Sequence, residues 1–175
     1  MDEAAVRRVI GRMAHEVLEK LGGTERLVLM GIQRRGVDLA DMIRAAIVEA
    51  EGEEVPTGTL DITLYRDDLM AVGPRPVVGE TKLPPGGVER MAVVLVDDVL
   101  YTGRTVRAAL NELMDWGRPE RILLCVLVDR GDRELPIQAD TVGREFPVLA
   151  NERVDVLVPA RDGELAVVLS GVEAR

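Results

Sequence analysis

Two adjacent acids followed by a threonine–glycine turn are the residues of this sequence best placed to do chemistry. They lie in Val93-Val94-Leu95-Val96-Asp97-Asp98-Val99-Leu100-Tyr101-Thr102-Gly103-Arg104-Thr105, where a buried apolar run meets two carboxylates and then a small polar turn that opens a helix. In an open parallel sheet, ligands gather at the carboxyl ends of strands. The free N–H groups of a helix start, with the hydroxyls of Thr102 and Thr105, can surround a phosphate, and Gly103 permits close approach. Asp97 and Asp98 can accept hydrogen bonds from sugar hydroxyls and help hold a hydrated magnesium ion. A P-loop would need glycine where Asp98 stands and lysine where Arg104 stands. A dinucleotide-binding turn would need three glycines, and only Gly103 is present. The plainer reading, in which the acids end a strand and Thr102 caps a helix, leaves the ordered co-occurrence of strand, acid pair and turn without a reason.

The elements around this loop follow from periodicity. Val6, Ile10, Met13, Val17 and Leu21 recur at helical spacing until Gly22-Gly23 stops them. A strand is predicted at Leu27 to Ile32, a polar turn from Gly31 to Gly36, and a second helix marked by Val37, Ala40, Ile43, Ala46 and Ile47. Thr59 to Tyr65 alternates apolar and polar residues, as a half-buried strand does. Asp67 to Gly87 is rich in Gly and Pro and too poor in apolar residues to pack alone, which predicts a mobile excursion. Met91 to Val96 and Ile122 to Val128 are continuous apolar runs of the kind found in parallel sheets covered on both faces, and Val106, Leu110 and Leu113 mark a helix between them. Strands alternating with helices make the fold class α/β. After Asp129 the helical periodicity vanishes, and short segments end in a strand over Leu165 to Leu169.

Size and charge narrow the function. At 175 residues and 47% apolar content, the chain suits a single domain over 1–175. A formal charge of -9 excludes a protein that coats nucleic acid through an overall positive field, so any RNA contact must come from a local basic patch. Cys125 is the only cysteine and sits in an apolar run, so no internal disulfide can form, and a structural thiol in a reducing, cytoplasmic compartment is expected. No apolar stretch reaches the roughly twenty residues of a membrane span, and the amino end lacks the order of a secretory signal, so no membrane role is expected.

The thirteen residues from Val93 to Thr105 resemble the phosphoribosyl-pyrophosphate (PRPP) signature of the type I phosphoribosyltransferases. The resemblance implies a central, mostly parallel sheet flanked by helices, with a small hood mainly within 129–175 and a flexible active-site loop at about 66–87. By resemblance, Asp97 and Asp98 meet the ribose hydroxyls, and the stretch through Val99, Leu100, Tyr101, Thr102, Gly103, Arg104 and Thr105 encloses the 5′-phosphate. Gly31-Ile32-Gln33-Arg34-Arg35-Gly36 resembles the family's pyrophosphate loop, whose N–H groups and guanidinium suit a diphosphate that gains charge as it leaves. Asp61-Ile62-Thr63-Leu64-Tyr65-Arg66-Asp67-Asp68 resembles the start of the loop that closes over the site and keeps water from an oxocarbenium-like sugar.

Tyr101 stands where purine-using relatives carry an Asp, which speaks for a pyrimidine. The longer matches Ile62 to Leu69, Val96 to Arg107 and Val128-Asp129-Arg130-Gly131, with Gly117-Arg118-Pro119 and Arg133 to Ile137, resemble the pyrimidine-operon attenuation proteins over essentially the whole sequence. That resemblance implies two activities. One is UMP formation from uracil and PRPP with Mg2+, in which Arg34, Arg35 and Arg66 stabilise the departing pyrophosphate and Arg130, Val142 and Val154 lie beside the base. The other is binding of pyrimidine-operon leader mRNA in response to UMP or UTP, attenuating transcription through Arg12, His15, Arg133 and Arg144. Gln138, Gly11 and Lys20 depart from the family pattern, in place of a basic residue, a hydroxyl side chain and Arg respectively, which bears on RNA affinity more than on catalysis. A homodimer or higher homo-oligomer is expected, because pairing two subunits concentrates a basic patch on an acidic chain. The alternative is a phosphoribosyltransferase for another base, orotate or a purine, without an RNA role.

Overall fold

A computed structural model describes residues 1–67, 79–148 and 152–171. Its centre is a five-stranded sheet of β1 (Leu27–Ile32), β2 (Thr57–Leu60), β3 (Ala92–Leu100), β4 (Arg121–Asp129) and β5 (Thr141–Glu145), ordered β2-β1-β3-β4-β5 with every neighbouring pair parallel. The unbroken apolar runs of the inner strands have a direct cause. Leu27, Leu29, Val94, Val96, Leu123, Cys125 and Leu127 pack with α1 (Glu3–Leu21) and α2 (Arg35–Glu51), while the intervening Val28, Met30, Val93, Leu95, Leu124 and Val126 pack with α3 (Arg104–Trp116). Both faces are covered, so the stretches 27–30, 93–96 and 122–128 are apolar at every position. Each fully buried large aliphatic contributes about 1.5–3 kcal/mol. The predicted stripe Val6, Ile10, Met13 and Val17 is the buried face of α1, which Asp2 caps by accepting from the Ala5 N–H at 2.8 Å and Gly22 ends in the left-handed conformation.

Three features depart from the sequence expectation. The half-buried strand predicted over Thr59 to Tyr65 stops at Leu60, and Thr63–Tyr65 is a 3-10 turn. The Asp61 carboxylate accepts from the Thr63 N–H at 3.0 Å and from its hydroxyl at 2.6 Å, a local turn that competes with the extended chain and leaves Leu64 63% exposed. Strand β3 runs past the acid pair to Leu100, so Asp97 and Asp98 stand inside the strand, with Asp97 in register with Val126 of β4. In the carboxyl-terminal third, β5 extends the central sheet. A separate antiparallel pair, β6 (Glu152–Leu157) and β7 (Ala166–Gly171), is joined through the short helix α4 (Pro159–Asp162). Val154, Val156, Leu165 and Val167 anchor this small sheet in the same apolar cluster as α1 and α2. The chain's first residue joins it, since the Val167 N–H donates to the Met1 carbonyl at 2.9 Å. Half of the excursion expected at 66–87, residues 68–78, lies outside the described residues.

Candidate active site

Strand β3, central in the sheet between β1 and β4, carries the acid pair near its carboxyl end. Asp97 is 6% exposed, and burial together with the neighbouring Asp98 charge pushes its carboxyl well above the usual range. The Asp98 N–H donates to an Asp97 carboxylate oxygen at 3.0 Å, and the Val99 N–H donates to Asp98 at 2.8 Å, which fixes both side chains. Gly36 lies directly against this pair. A Cβ there would collide with the Val96 carbonyl oxygen and crowd the Asp97 Cα, so only glycine lets the loop from Gly31 to Gly36 come this close.

Beyond Leu100 the chain turns through Tyr101, Thr102 and Gly103 into α3. Gly103 holds φ at +91°, a conformation that favours glycine, and the first N–H groups of the turn and helix, those of Gly103, Thr105 and Val106, have no hydrogen-bond partner among the described residues. Thr102, Thr105, Arg104, Arg66 and Asp67 line a small cavity of about 240 Å³ at this helix start. Donors, dipole and hydroxyls converge there as an anion cradle requires. The Thr102 carbonyl accepts from the N–H groups of Glu134 and Leu135 at 3.0 and 3.1 Å, so the segment after β4 braces the cradle from behind.

The second loop presents its two arginines differently. The Gln33–Arg34 peptide is cis. Arg34 is exposed, and its guanidinium has no protein partner among the described residues. Arg35 instead turns to α4 and grips Asp162, although it remains close enough to Asp98 to feel its charge. The Gln33 amide donates to the Glu80 carbonyl at 2.9 Å, and Gly79 donates its N–H to Asp61. One carboxylate, Asp61, therefore holds Thr63 on one side of residues 68–78 and Gly79 on the other.

Near the expected base position, Arg130 places its guanidinium 3.9 Å from the centre of the Tyr101 ring, and its Nε is buried without a hydrogen-bond partner. Val142 and Val154 are not brought together: Val142 packs with the apolar cluster on the α3 side, Val154 with the cluster on the α1 and α2 side. Among the described residues no three carboxylate, histidine or cysteine side chains converge as a metal cage. Asp97 and Asp98 offer hard oxygens suited to magnesium, and two such ligands fit an ion that keeps most of its shell from water and substrate oxygens.

The residues expected to meet RNA divide into two groups. Arg12 and Arg144 line one cavity of about 480 Å³ with Arg8 and Phe146, and exposed His15 stands farther along α1 with its ring nitrogen 2.8 Å from the Gly11 carbonyl. Arg133 is turned inward. It donates to the carbonyls of Ile137, Tyr101 and Gly131 and pairs with Asp129, so it clamps its own loop. Sequence reasoning missed Arg8, whose four-residue spacing from Arg12 puts both on one helix face, and Phe146, whose role depends on strand placement.

Comparison with known proteins places these features in a wider set. A family model described as a phosphoribosyl transferase domain matches residues 2–157. The "Bifunctional protein PyrR" of Herpetosiphon aurantiacus is 58% identical over 156 residues, covering 89% of this chain and 86% of that protein. The protein of the same name from Thermus thermophilus is 57% identical over 164 residues, covering 94% and 90%. Among solved structures, a hypoxanthine phosphoribosyltransferase of Trypanosoma cruzi superposes with a TM-score of 0.71 at 19% identity, covering 99% of this chain and 95% of that one. At that identity the likeness speaks for the fold alone.

Proposed function

This chain belongs to the phosphoribosyl transferase family and has the type I fold, and on that premise we propose that it makes UMP from uracil and PRPP and also binds pyrimidine-operon leader RNA under the control of uridine nucleotides. The observation that carries the enzymatic reading is the juxtaposition toward the carboxyl end of β3: an acid pair with Asp97 buried, a helix-start cradle and the Gly31–Gly36 loop meet at one end of the sheet. The name shared by relatives above 50% identity supports the two-activity reading over a purine- or orotate-using enzyme.

In the proposed reaction a ring nitrogen of uracil bonds to the sugar's anomeric carbon as the bond to pyrophosphate breaks. The diphosphate leaves with the electron pair, and the nitrogen's proton passes to solvent. Asp97 and Asp98 orient the ribose through its hydroxyls, and the negative charge the pair carries favours the electron-poor sugar of the transition state. The cradle from Tyr101 to Thr105 fixes the 5′-phosphate, converting an encounter into a held geometry. Arg34, with its guanidinium uncommitted among the described residues, meets the departing diphosphate, while Arg35 secures the hood through Asp162. Asp97 and Asp98 would hold a magnesium ion, directly or through water, and that ion would supply positive charge to the diphosphate oxygens. Arg130 and Tyr101 form the wall on which the base rests.

RNA binding on a chain of charge -9 requires local concentration of cations. Arg8, Arg12 and Arg144 around the α1–β5 cavity provide it, with His15 on the same helix, and a homodimer would double the surface. The test is steady-state UMP formation with uracil, orotate and hypoxanthine as competing bases. Turnover with uracil that collapses in the Asp97→Asn, Asp98→Asn double variant is expected, whereas preference for another base or no turnover would end the reading. For the second activity, UMP or UTP should tighten binding to a pyrimidine leader hairpin, and affinity indifferent to both nucleotide and RNA sequence would remove it.

A further inference from the structure

The cradle at the start of α3 contains a side chain of the wrong sign for an anion site. The Asp67 carboxylate lies 2.5 Å from Nη1 of Arg104 and 3.6 Å from Nη2 of Arg107, and it lines the same cavity as Thr102 and Thr105. Arg104 has a second carboxylate partner, Glu134, at 2.6 Å from its Nε, so two acids from separate segments divide its guanidinium. Glu134 is fixed by its own backbone N–H on the Thr102 carbonyl. Asp67 has no such tie to the cradle and reaches it through its side chain. The Arg104 hydrogen bond holds the Asp67 carboxyl below the usual range, so it is charged at neutral pH.

We propose that Asp67 is a built-in competitor for the phosphate-monoester end of substrate and product: it occupies Arg104 until a 5′-phosphate enters, and its charge at the cradle mouth weakens the hold on that phosphate. The proposal rests on the reading of Thr102 to Thr105 as the 5′-phosphate seat. The physical argument is a matter of sign and place. A phosphate dianion brought into this cavity would meet the Asp67 carboxylate at close range, and like charges there repel unless the carboxylate swings away. When it does, Arg104 is not stranded, because Glu134 still satisfies its Nε, and the freed Nη1 can turn to the phosphate. Arg107 likewise keeps its 2.8 Å hydrogen bond to the Tyr65 carbonyl. The exchange therefore leaves both guanidiniums with a partner. A site tuned this way gives up some affinity for the nucleotide product in return for its release, the step that limits many well-adapted enzymes.

The experiment measures binding of UMP, ribose 5-phosphate and uracil to the full chain and to Asp67→Asn, which keeps the size of the side chain and one accepting oxygen and removes its charge. The two phosphate monoesters should bind about two- to fivefold tighter in the variant, the scale of an exposed charge pair, with the gain shrinking at high salt. Uracil, which lacks the phosphate, should bind equally to both proteins and serves as the check on folding. KM for PRPP should fall with it while kcat does not rise. Unchanged or weaker monoester binding in the variant, beside sound binding by the unmodified chain, overturns the competitor role and leaves the cradle reading standing. Failure of both proteins to bind either monoester overturns the cradle reading itself.

Discussion

Arg35 at the start of α2 and Asp162 in α4 form a forked pair, with Nη2 3.0 Å from one carboxylate oxygen and Nε 3.3 Å from the other. Beside it the signs are exchanged, since Arg161 of α4 reaches back to Asp38 of α2 at 2.6 Å. These crossed pairs tie the small sheet to the loop that carries Arg34. Asp162 also accepts from the Val158 N–H at 2.8 Å, so its loss releases the helix start as well as the partner. Asp162→Ala is expected to raise KM for uracil several-fold and to speed amide exchange at Val158. Arg35→Lys alone should also raise KM for uracil, because an ammonium cannot make the fork.

The same pair has a defined pH window. Arg35, the Val158 N–H and nearby charge hold the Asp162 carboxyl below its usual range. A group depressed on folding contributes stability above its unfolded pKa, and loses it as pH falls through the folded value. Protection of Val158 from exchange should thus be level from neutral pH to about pH 4 and decline only below it. A decline beginning near pH 6 would point to another group.

Asp61 should act as a common post for the two chain segments it holds. Removing it in Asp61→Ala frees the Thr63 and Gly79 N–H groups together, so their exchange rates should rise in parallel. Gln33→Ala breaks only the link to the Glu80 carbonyl, and should perturb the Gly79 side while sparing Thr63. Independent behaviour of Thr63 and Gly79 in the Asp61 variant would refute a shared anchor.

How far the sequence foretold this arrangement depends on the range of the interactions. The inner strands and α1 were legible because burial on two faces, or on one stripe, writes itself into the pattern of Val28 to Met30 or of Val6 to Val17. The acid pair and cradle were legible because strand, acids and turn are contiguous. Thr59 to Tyr65 misled because one Asx turn at Asp61 overrode the alternation. The inward turn of Arg133, the capture of Arg35 by Asp162 and the addition of Met1 to β7 were not legible, since each pairs a side chain or terminus with a partner set by tertiary packing.

Burying Asp97 costs stability. With its pKa raised on folding, the folded state favours the protonated form, so stability falls as pH rises from about 4, the unfolded value, toward the folded one. Asp97→Asn should therefore be more stable than the parent at neutral pH, with the difference narrowing toward pH 4. Its UMP-forming kcat should fall by a factor on the order of 10²–10³. Urea unfolding across pH 4 to 8 measures the first effect, and a less stable variant would contradict it.

Cys125 provides a reporter of the core. Burial pushes its thiol up to about 12, and it lies between the sheet and α1 with no exposure. Thiol reagents should label it only as fast as the protein unfolds, and prompt labelling of the native chain would mean that β4 opens locally.

Arg144, Arg12 and Arg133 should separate cleanly in RNA binding, because the fold uses them differently. Arg144 is exposed on β5 with its guanidinium 5.8 Å from the Phe146 ring, free to meet a phosphate. Its replacement by Ala should weaken binding to all leader sequences alike and reduce the slope of log affinity against log salt by about 1, without loss of stability. Arg12 donates to the Val142 and Gly143 carbonyls at 2.9 and 2.6 Å, so Arg12→Ala should lose stability as well as affinity. Arg133→Ala should unsettle the loop behind Thr102, lowering stability and phosphate binding while leaving the salt slope intact. A full unit of slope lost in Arg133→Ala, with none lost in Arg144→Ala, would move the RNA surface from the α1–β5 cavity to the loop after β4.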